Sequence, residues 1–202
     1  MSDVLNNQRL YNEQSTITQG AELILKGLEE LYGLVRTADM ATTPERVSRM
    51  YVELCAGLSE NPVAHLSVRQ PAIKPQSIVV TSGIDFISLC RHHLAIIEGT
   101  AWIGYLPNEE IVGLSKMGRV VDAYARRPQI QEEMTNQIAD IIDAELQPMG
   151  VIVVIAAKHD CMCTRGIQKK GATTQTSAVR GIFKTNEAGC KDEFFNLISL
   201  PK

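Results

Sequence analysis

Val151-Ile152-Val153-Val154-Ile155-Ala156-Ala157 is an unbroken apolar run rich in β-branched residues, and His159-Asp160-Cys161 follows it almost at once. Its length and composition read as a buried strand, with Thr176 to Lys184 as a partner. Upstream, β-rich runs at Ser77 to Thr81, Asp85 to Leu89 and Thr100 to Leu106 begin the sheet. Two helices lie between the strand groups. The first is predicted over Gly113 to Arg126, with Leu114, Met117, Val120, Val121 and Tyr124 inward. The second, beyond Pro128, runs from about Ile130 to Leu146 on a stripe of Ile130, Met134, Ile138, Ile141 and Ile142. Strands, two helices, strands and a short last helix over Glu193 to Ile198 favour an α+β domain, an antiparallel sheet with two helices on one face.

Towards the N-terminus, residues 1 to about 18 are polar and read as an irregular arm. From Ala21 the spacing turns helical, with Ile24, Leu28 and Leu31 on one face and Gly33 placed to end the helix. A second helix is predicted from Thr43-Pro44, with Thr43 as cap and Val47, Met50, Tyr51 and Leu54 as its stripe. Pro62 to Pro75 has no clear period. The chain therefore divides into an N-terminal arm with helices, 1–75, and a sheet-bearing domain, 76–202.

With 202 residues, 45% hydrophobic and 21% charged, the chain has the profile of a soluble globular protein. A formal net charge of −3 gives no electrostatic reason to expect nucleic acid or an anionic membrane as partner. No apolar run reaches the length of a membrane span, and Met1-Ser2-Asp3 does not open a secretory signal, so the cytosol is the expected compartment. Thiols there are more often buried, catalytic or metal-bound than bridged. Cys55 and Cys190, with no ligand-type neighbours, read as structural.

Three of the four histidines and two of the five cysteines fall in Cys90-Arg91-His92-His93 and His159-Asp160-Cys161. Cys90 and His93, two residues apart at the end of a predicted strand, can reach one ion, and Cys161 can complete a Cys₂His set of the kind that holds catalytic zinc. Cys163 competes with Cys161: in an extended segment His159, Cys161 and Cys163 all point the same way. His92 and His159 stand beside these ligands, and imidazole is the side chain most often used for acid and base work. His65 reads as structural.

An anion site is also legible. Ser115, Lys116 and Arg119 open a predicted helix, where free N–H groups and the dipole favour phosphate. Arg165 follows the second metal stretch, and Gln168-Lys169-Lys170-Gly171 adds charge. Gln131 and Glu132 open the next helix, and the Glu132 carboxylate can accept two N–H bonds from a guanine edge.

Taken together the chain resembles the GTP cyclohydrolase I family from about Thr43 to Leu197. The matching pieces are Thr43-Pro44-Glu45-Arg46-Val47, Cys90-Arg91-His92-His93, Gly113-Leu114-Ser115-Lys116, Arg119-Val120-Val121, Arg127-Pro128-Gln129-Ile130-Gln131-Glu132, His159-Asp160-Cys161, Arg165-Gly166 and Thr174-Gln175-Thr176-Ser177. The resemblance implies zinc on Cys90, His93 and Cys161, with Cys163 outside the ligand set. It implies proton transfer by His92 and His159, with Ser115 assisting, guanine held by Gln131 and Glu132, and triphosphate held by Lys116, Arg119 and Arg165. Arg46 is expected to reach a phosphate from a neighbouring subunit. The implied architecture is the tunnelling fold, whose sheets join into a barrel in a homodecamer with active sites at subunit interfaces. The implied reaction converts GTP to 7,8-dihydroneopterin triphosphate and formate, the entry step of folate, biopterin or deazapurine synthesis. One residue departs from the pattern: similar proteins carry Glu where this chain has Arg91. A cation there lowers a nearby histidine pKa, pairs with an acid, contacts phosphate or points away. It also admits the alternative of an altered or inactive paralogue that binds a purine nucleotide.

Overall fold

The computed structural model describes residues 15–74, 77–186 and 189–199, so most of the expected N-terminal arm lies outside the described residues. The chain forms two compact units, Met1–Cys55 and Ala56–Lys202.

The first unit is a helix pair. Helix α1 (Thr16–Tyr32) begins before the expected Ala21, because Ser15 caps it: its Oγ accepts the Thr18 N–H at 3.2 Å. Gly33, in the left-handed region at φ 67°, ends it as expected and donates its N–H to Glu29 and Leu28. The buried face of α1 carries Thr18, Ala21 and Leu25. The expected stripe is instead turned outward, Ile24 being 65% and Leu31 76% exposed. A 3₁₀ turn over Ala38–Thr42 leads into α2 (Thr43–Leu54). Thr43 is its first helical residue, and the side chain of the cap position, Thr42, makes no capping bond. Pro44 and Ser48 are the buried positions, and Ser48 meets Ser15 Oγ at 3.2 Å.

The second unit opens with a 3₁₀ turn (Ala56–Ser59), a short α3 (Pro62–His65) and β1 (Arg69–Pro71), so the stretch without a sequence period is partly ordered by local bonds. Strand β2 (Val79–Cys90) merges two runs read separately in the sequence. The break between them is a bulge, where the register shifts between Thr81 and Ile84 and Gly83 takes φ 72°. β3 (Ile96–Leu106), β4 (Glu110–Val112), α4 (Ser115–Ala125), β5 (Pro128–Gln129) and α5 (Gln131–Leu146) follow. β6 (Gly150–His159), α6 (Asp160–Cys163), β7 (Thr174–Gly181), α7 (Ile182–Thr185) and α8 (Cys190–Ile198) complete it. Gly181, at φ 56°, stops β7 short of the expected Lys184, and residues from Ile182 coil into α7.

The main sheet has the order β5-β2-β3-β6-β7. All its pairings are antiparallel except β5 with β2, which is parallel, so the sheet is mixed rather than wholly antiparallel. A separate ribbon pairs β1 with β4; within it Arg69 pairs with Glu110 at 3.3 Å, and a second ion pair, to Glu145 at 3.2 Å, ties it to α5.

Helices α4 and α5 cover one face as expected. Met117, Val120, Val121, Met134, Ile138 and Ile142 pack there against Phe86, Ile103, Tyr105, Val151, Val153 and Ile155. Leu114, expected inward, is exposed ahead of the helix. The opposite face is not bare. Ile152 lies there with Phe183 of α7 and Phe194 of α8, flanked by Trp102 and Val154. This explains the unbroken apolar run of β6: alternate residues enter two cores, so neither parity can be polar. Each such aliphatic side chain contributes roughly 1.5–3 kcal/mol on burial.

Candidate metal centre and active site

Topology gathers the site. β2 and β6 both pair antiparallel with the intervening β3 and so run the same way, ending at the sheet edge where β3 begins. There Leu89 faces Ile96, and His159 faces Ile97. β5 lies alongside the end of β2, Cys90 facing Gln129, and feeds directly into α5 at Gln131. One sheet end thus collects the Cys90 turn, the start of α5 and the His159 segment.

The turn after Cys90 is tightly held. Cys90 donates its N–H to the Ala95 carbonyl at 2.8 Å, His93 donates to the Cys90 carbonyl at 3.2 Å, and Arg91 donates to the Gln129 carbonyl at 3.0 Å. Leu94 closes the turn at φ 52°, a left-handed conformation that costs a non-glycine residue about 1–2 kcal/mol. The turn brings His93 Nδ1 to 3.5 Å from Cys90 Sγ. Cys161 joins them, so that the three ligand atoms lie within 4.8 Å of one another. Two thiolates and an imidazole on one tetrahedral zinc, with bonds of about 2.3 and 2.0–2.1 Å, place sulfur and nitrogen about 3.5 Å apart. The cluster fits such an ion in donor type and spacing. Burial raises the Cys161 thiol pKa and the neighbouring Cys90 thiol raises it further, opposed by Arg165. Two thiols crowded in this way are the arrangement a divalent cation relieves by displacing protons.

Backbone shape separates Cys161 from Cys163. The segment is not extended but makes the single turn α6, and two residues of helix rotate a side chain by about 200°. Cys163 is buried on the far side and donates its S–H to the Lys169 carbonyl at 3.4 Å.

His159, at the last position of β6, is half-buried. Burial lowers its pKa, and Glu132 opposes the shift. Its Nε2 lies 2.7 Å from Oε1 of Gln131. The Gln131 side chain is itself only 2% exposed, whereas Glu132 beside it is exposed. His92 is exposed in the Cys90 turn, its ring edge-on to His93 at 6.3 Å. Arg165 donates to the Cys161 carbonyl at 3.5 Å, within reach of the cluster.

Arg91 pairs with an acid. Its two terminal nitrogens meet both oxygens of Glu133 in the first turn of α5, at 3.0 and 2.5 Å, and lower the carboxyl pKa of Glu133. Sequence reading missed this partner, although Glu133 follows directly on the Gln131-Glu132 pair. It gave no role to Thr135, or to Thr176 of the quoted Thr174-Gln175-Thr176-Ser177, both of which hydrogen-bond to Gln131. The clue available was the helical spacing of four between Gln131 and Thr135.

Ser115, Lys116 and Arg119 do lie on the first turns of α4. Arg119 lines a cavity of about 450 Å³ with Glu60, Asn61, Ala64, His65, Asp122 and Arg126. His65 pairs there with Glu60 at 3.1 Å. Arg46 is exposed on α2, in the first unit. Within the motif that precedes α5, Arg127 and Gln129 serve the fold. Arg127 donates to the Gly57 carbonyl at 2.8 Å, and buried Gln129 donates to the Tyr124 carbonyl at 2.8 Å.

The family model for GTP cyclohydrolase I matches residues 19–199. GTP cyclohydrolase 1 of Clostridioides difficile (strain 630) is 49% identical over 159 residues, which cover 78% of this chain and 83% of that protein. GTP cyclohydrolase 1 of Pelotomaculum thermopropionicum is 42% identical over 187 residues, covering 92% and 97%. That of Mycobacterium tuberculosis (strain ATCC 25177 / H37Ra) is 45% identical over 175 residues, covering 84% and 85%.

Proposed function

Because the chain belongs to the GTP cyclohydrolase I family, we propose that it is a zinc-dependent GTP cyclohydrolase I, converting GTP to 7,8-dihydroneopterin triphosphate and formate. The observation that carries this reading is the convergence of Cys90, His93 and Cys161 at one sheet end beside His159. Zinc held by these three residues would supply a water of lowered pKa beside the guanine.

The chain's own groups would do the rest. Glu132, exposed next to His159, would accept the N–H pair of the guanine edge and fix C8 over the cluster. His159 would protonate the imidazole ring nitrogen, which makes C8 electrophilic. After ring opening and loss of formate, His92 and Ser115 would assist the ribose opening and the rearrangement that closes the pterin ring. Lys116, Arg119 and Arg165 would hold the triphosphate, and Arg46 would reach it from a neighbouring subunit.

An interfacial site in a tunnelling-fold homodecamer accommodates these placements. The catalytic domain would span 76–202, with 1–75 as arm and helices, and the sheets would join into a barrel. The uncovered apolar face of α1 supports assembly, since Leu23, Ile24, Leu31 and Tyr32 are all exposed there. Among the described residues no helix is long and apolar enough to cross a membrane; we place the enzyme in the cytoplasm, at the head of tetrahydrofolate or another pterin-derived synthesis and one-carbon metabolism. The alternative of an inactive nucleotide-binding paralogue drew on Arg91 alone, and Arg91 is occupied by Glu133. Incubation of zinc-replete protein with GTP is expected to yield a pterin that fluoresces after oxidation. Unchanged GTP would refute the reading.

A further inference from the structure

Gln131 is among the most enclosed polar side chains of the second unit, 2% exposed, and its hydrogen bonds have only one consistent direction. Its amide nitrogen faces three oxygens: the Ile155 carbonyl at 3.2 Å, the Thr174 carbonyl at 3.1 Å and Thr176 Oγ1 at 3.1 Å. Two of these are backbone carbonyls, which only accept, so the NH₂ end of the amide must lie towards them. A flipped amide would set oxygen against both carbonyls. The Thr135 hydroxyl donates to the Gln131 carbonyl at 2.7 Å. Having spent its one hydrogen, Thr135 Oγ1 must accept from Thr176, 2.7 Å away, and this leaves the Thr176 oxygen free to accept the amide N–H. Each contact fixes the next.

The amide oxygen is therefore the end that faces His159, and an amide oxygen cannot donate. His159 Nε2, 2.7 Å from it, must be the donor. We infer that Gln131 is a positioning residue that keeps hydrogen on His159 Nε2, both in the cationic ring and in the Nε2–H tautomer left after proton transfer, so that Nδ1 is the nitrogen that delivers the proton to the substrate. This rests on the proposed GTP reaction and departs from the guanine-holding role that the resemblance implied for Gln131. Buried, with both amide hydrogens committed inside the protein, Gln131 acts through His159, and direct recognition of guanine falls to the exposed Glu132.

The test uses the full-length, zinc-replete protein labelled with ¹⁵N at the histidine rings. His159→Asn identifies the His159 signals by their loss. The wild type is expected to show hydrogen on Nε2 and a bare Nδ1 in its neutral ring; hydrogen on Nδ1 overturns the inference, and this measurement needs no variant of Gln131 to fold. Kinetics give a second readout. Gln131→Met keeps the volume and removes both the acceptor and the donors, and kcat is expected to fall on the order of 10²-fold, the size of a general acid–base contribution, with little change in KM for GTP. A raised KM with kcat preserved would mean that Gln131 contacts guanine and would overturn the inference. If the wild type releases no formate from GTP, the reaction assignment fails, while the tautomer stands or falls on the ring signals alone.

Discussion

At the scale of the residue, the choice between Cys161 and Cys163 turns on one helical turn. Strand alternation put both thiols on the same side of an extended segment, and nothing in Asp160-Cys161-Met162-Cys163 announces that it coils instead. Because Cys163 is buried and bonded to the Lys169 carbonyl, Cys163→Ala is expected to keep full zinc stoichiometry and lose about 1 kcal/mol of packing. Cys161→Ala is expected to lose the metal, as measured by elemental mass spectrometry on gel-filtered protein. The reverse pattern would assign the wrong thiol. Arg91 makes a second case. Its departure from the family pattern was legible, but its consequence was not, since the partner Glu133 lies on a helix brought alongside by the β5–β2 pairing. Arg91→Glu is expected to lower kcat/KM by setting like charges between the metal-site turn and α5. The double exchange Arg91→Glu with Glu133→Arg is expected to recover most of the loss, and additive losses would show that the pair is unimportant.

At the scale of the element, the long periodic segments were readable because periodicity survives without knowledge of neighbours. Helices α4 and α5 and strands β3 and β6 fall within a few residues of expectation. What escaped was shape that depends on a single glycine or on distant contacts. Gly83 joins two apparent strands into one by taking a left-handed bulge position. The second core escaped because Phe183 and Phe194 sit in segments too short to show a stripe, although the wholly apolar β6 already required cover on both faces. Phe194 is fully buried against Gly104, where a Cβ would come within 2.6 Å of its ring. Phe194→Ala is therefore expected to cost about 3–5 kcal/mol in urea unfolding. An effect below 1 kcal/mol would mean that α8 adds little to the fold.

At the scale of the whole molecule, we propose one explanation for the exposed apolar side chains of α1 and the cations of α4, half-buried Lys116 and exposed Arg119: assembly into an oligomer that covers the former and completes a site with the latter. The helical period near the N-terminus was read correctly, with Ile24, Leu28 and Leu31 on one face, but sequence does not say whether an apolar face meets its own chain or another. Replacing Ile24 and Leu31 by Glu is expected to shift sedimentation to smaller species and reduce turnover together. Retention of the native oligomer would place the interface elsewhere. The central claim is that the Cys90, His93 and Cys161 centre works with His159 to excise C8 of guanine, and the direct measurement is the fate of that carbon. With GTP labelled at C8, zinc-replete protein is expected to release the label as formate, one per GTP consumed. Label that stays in an intact purine would contradict it.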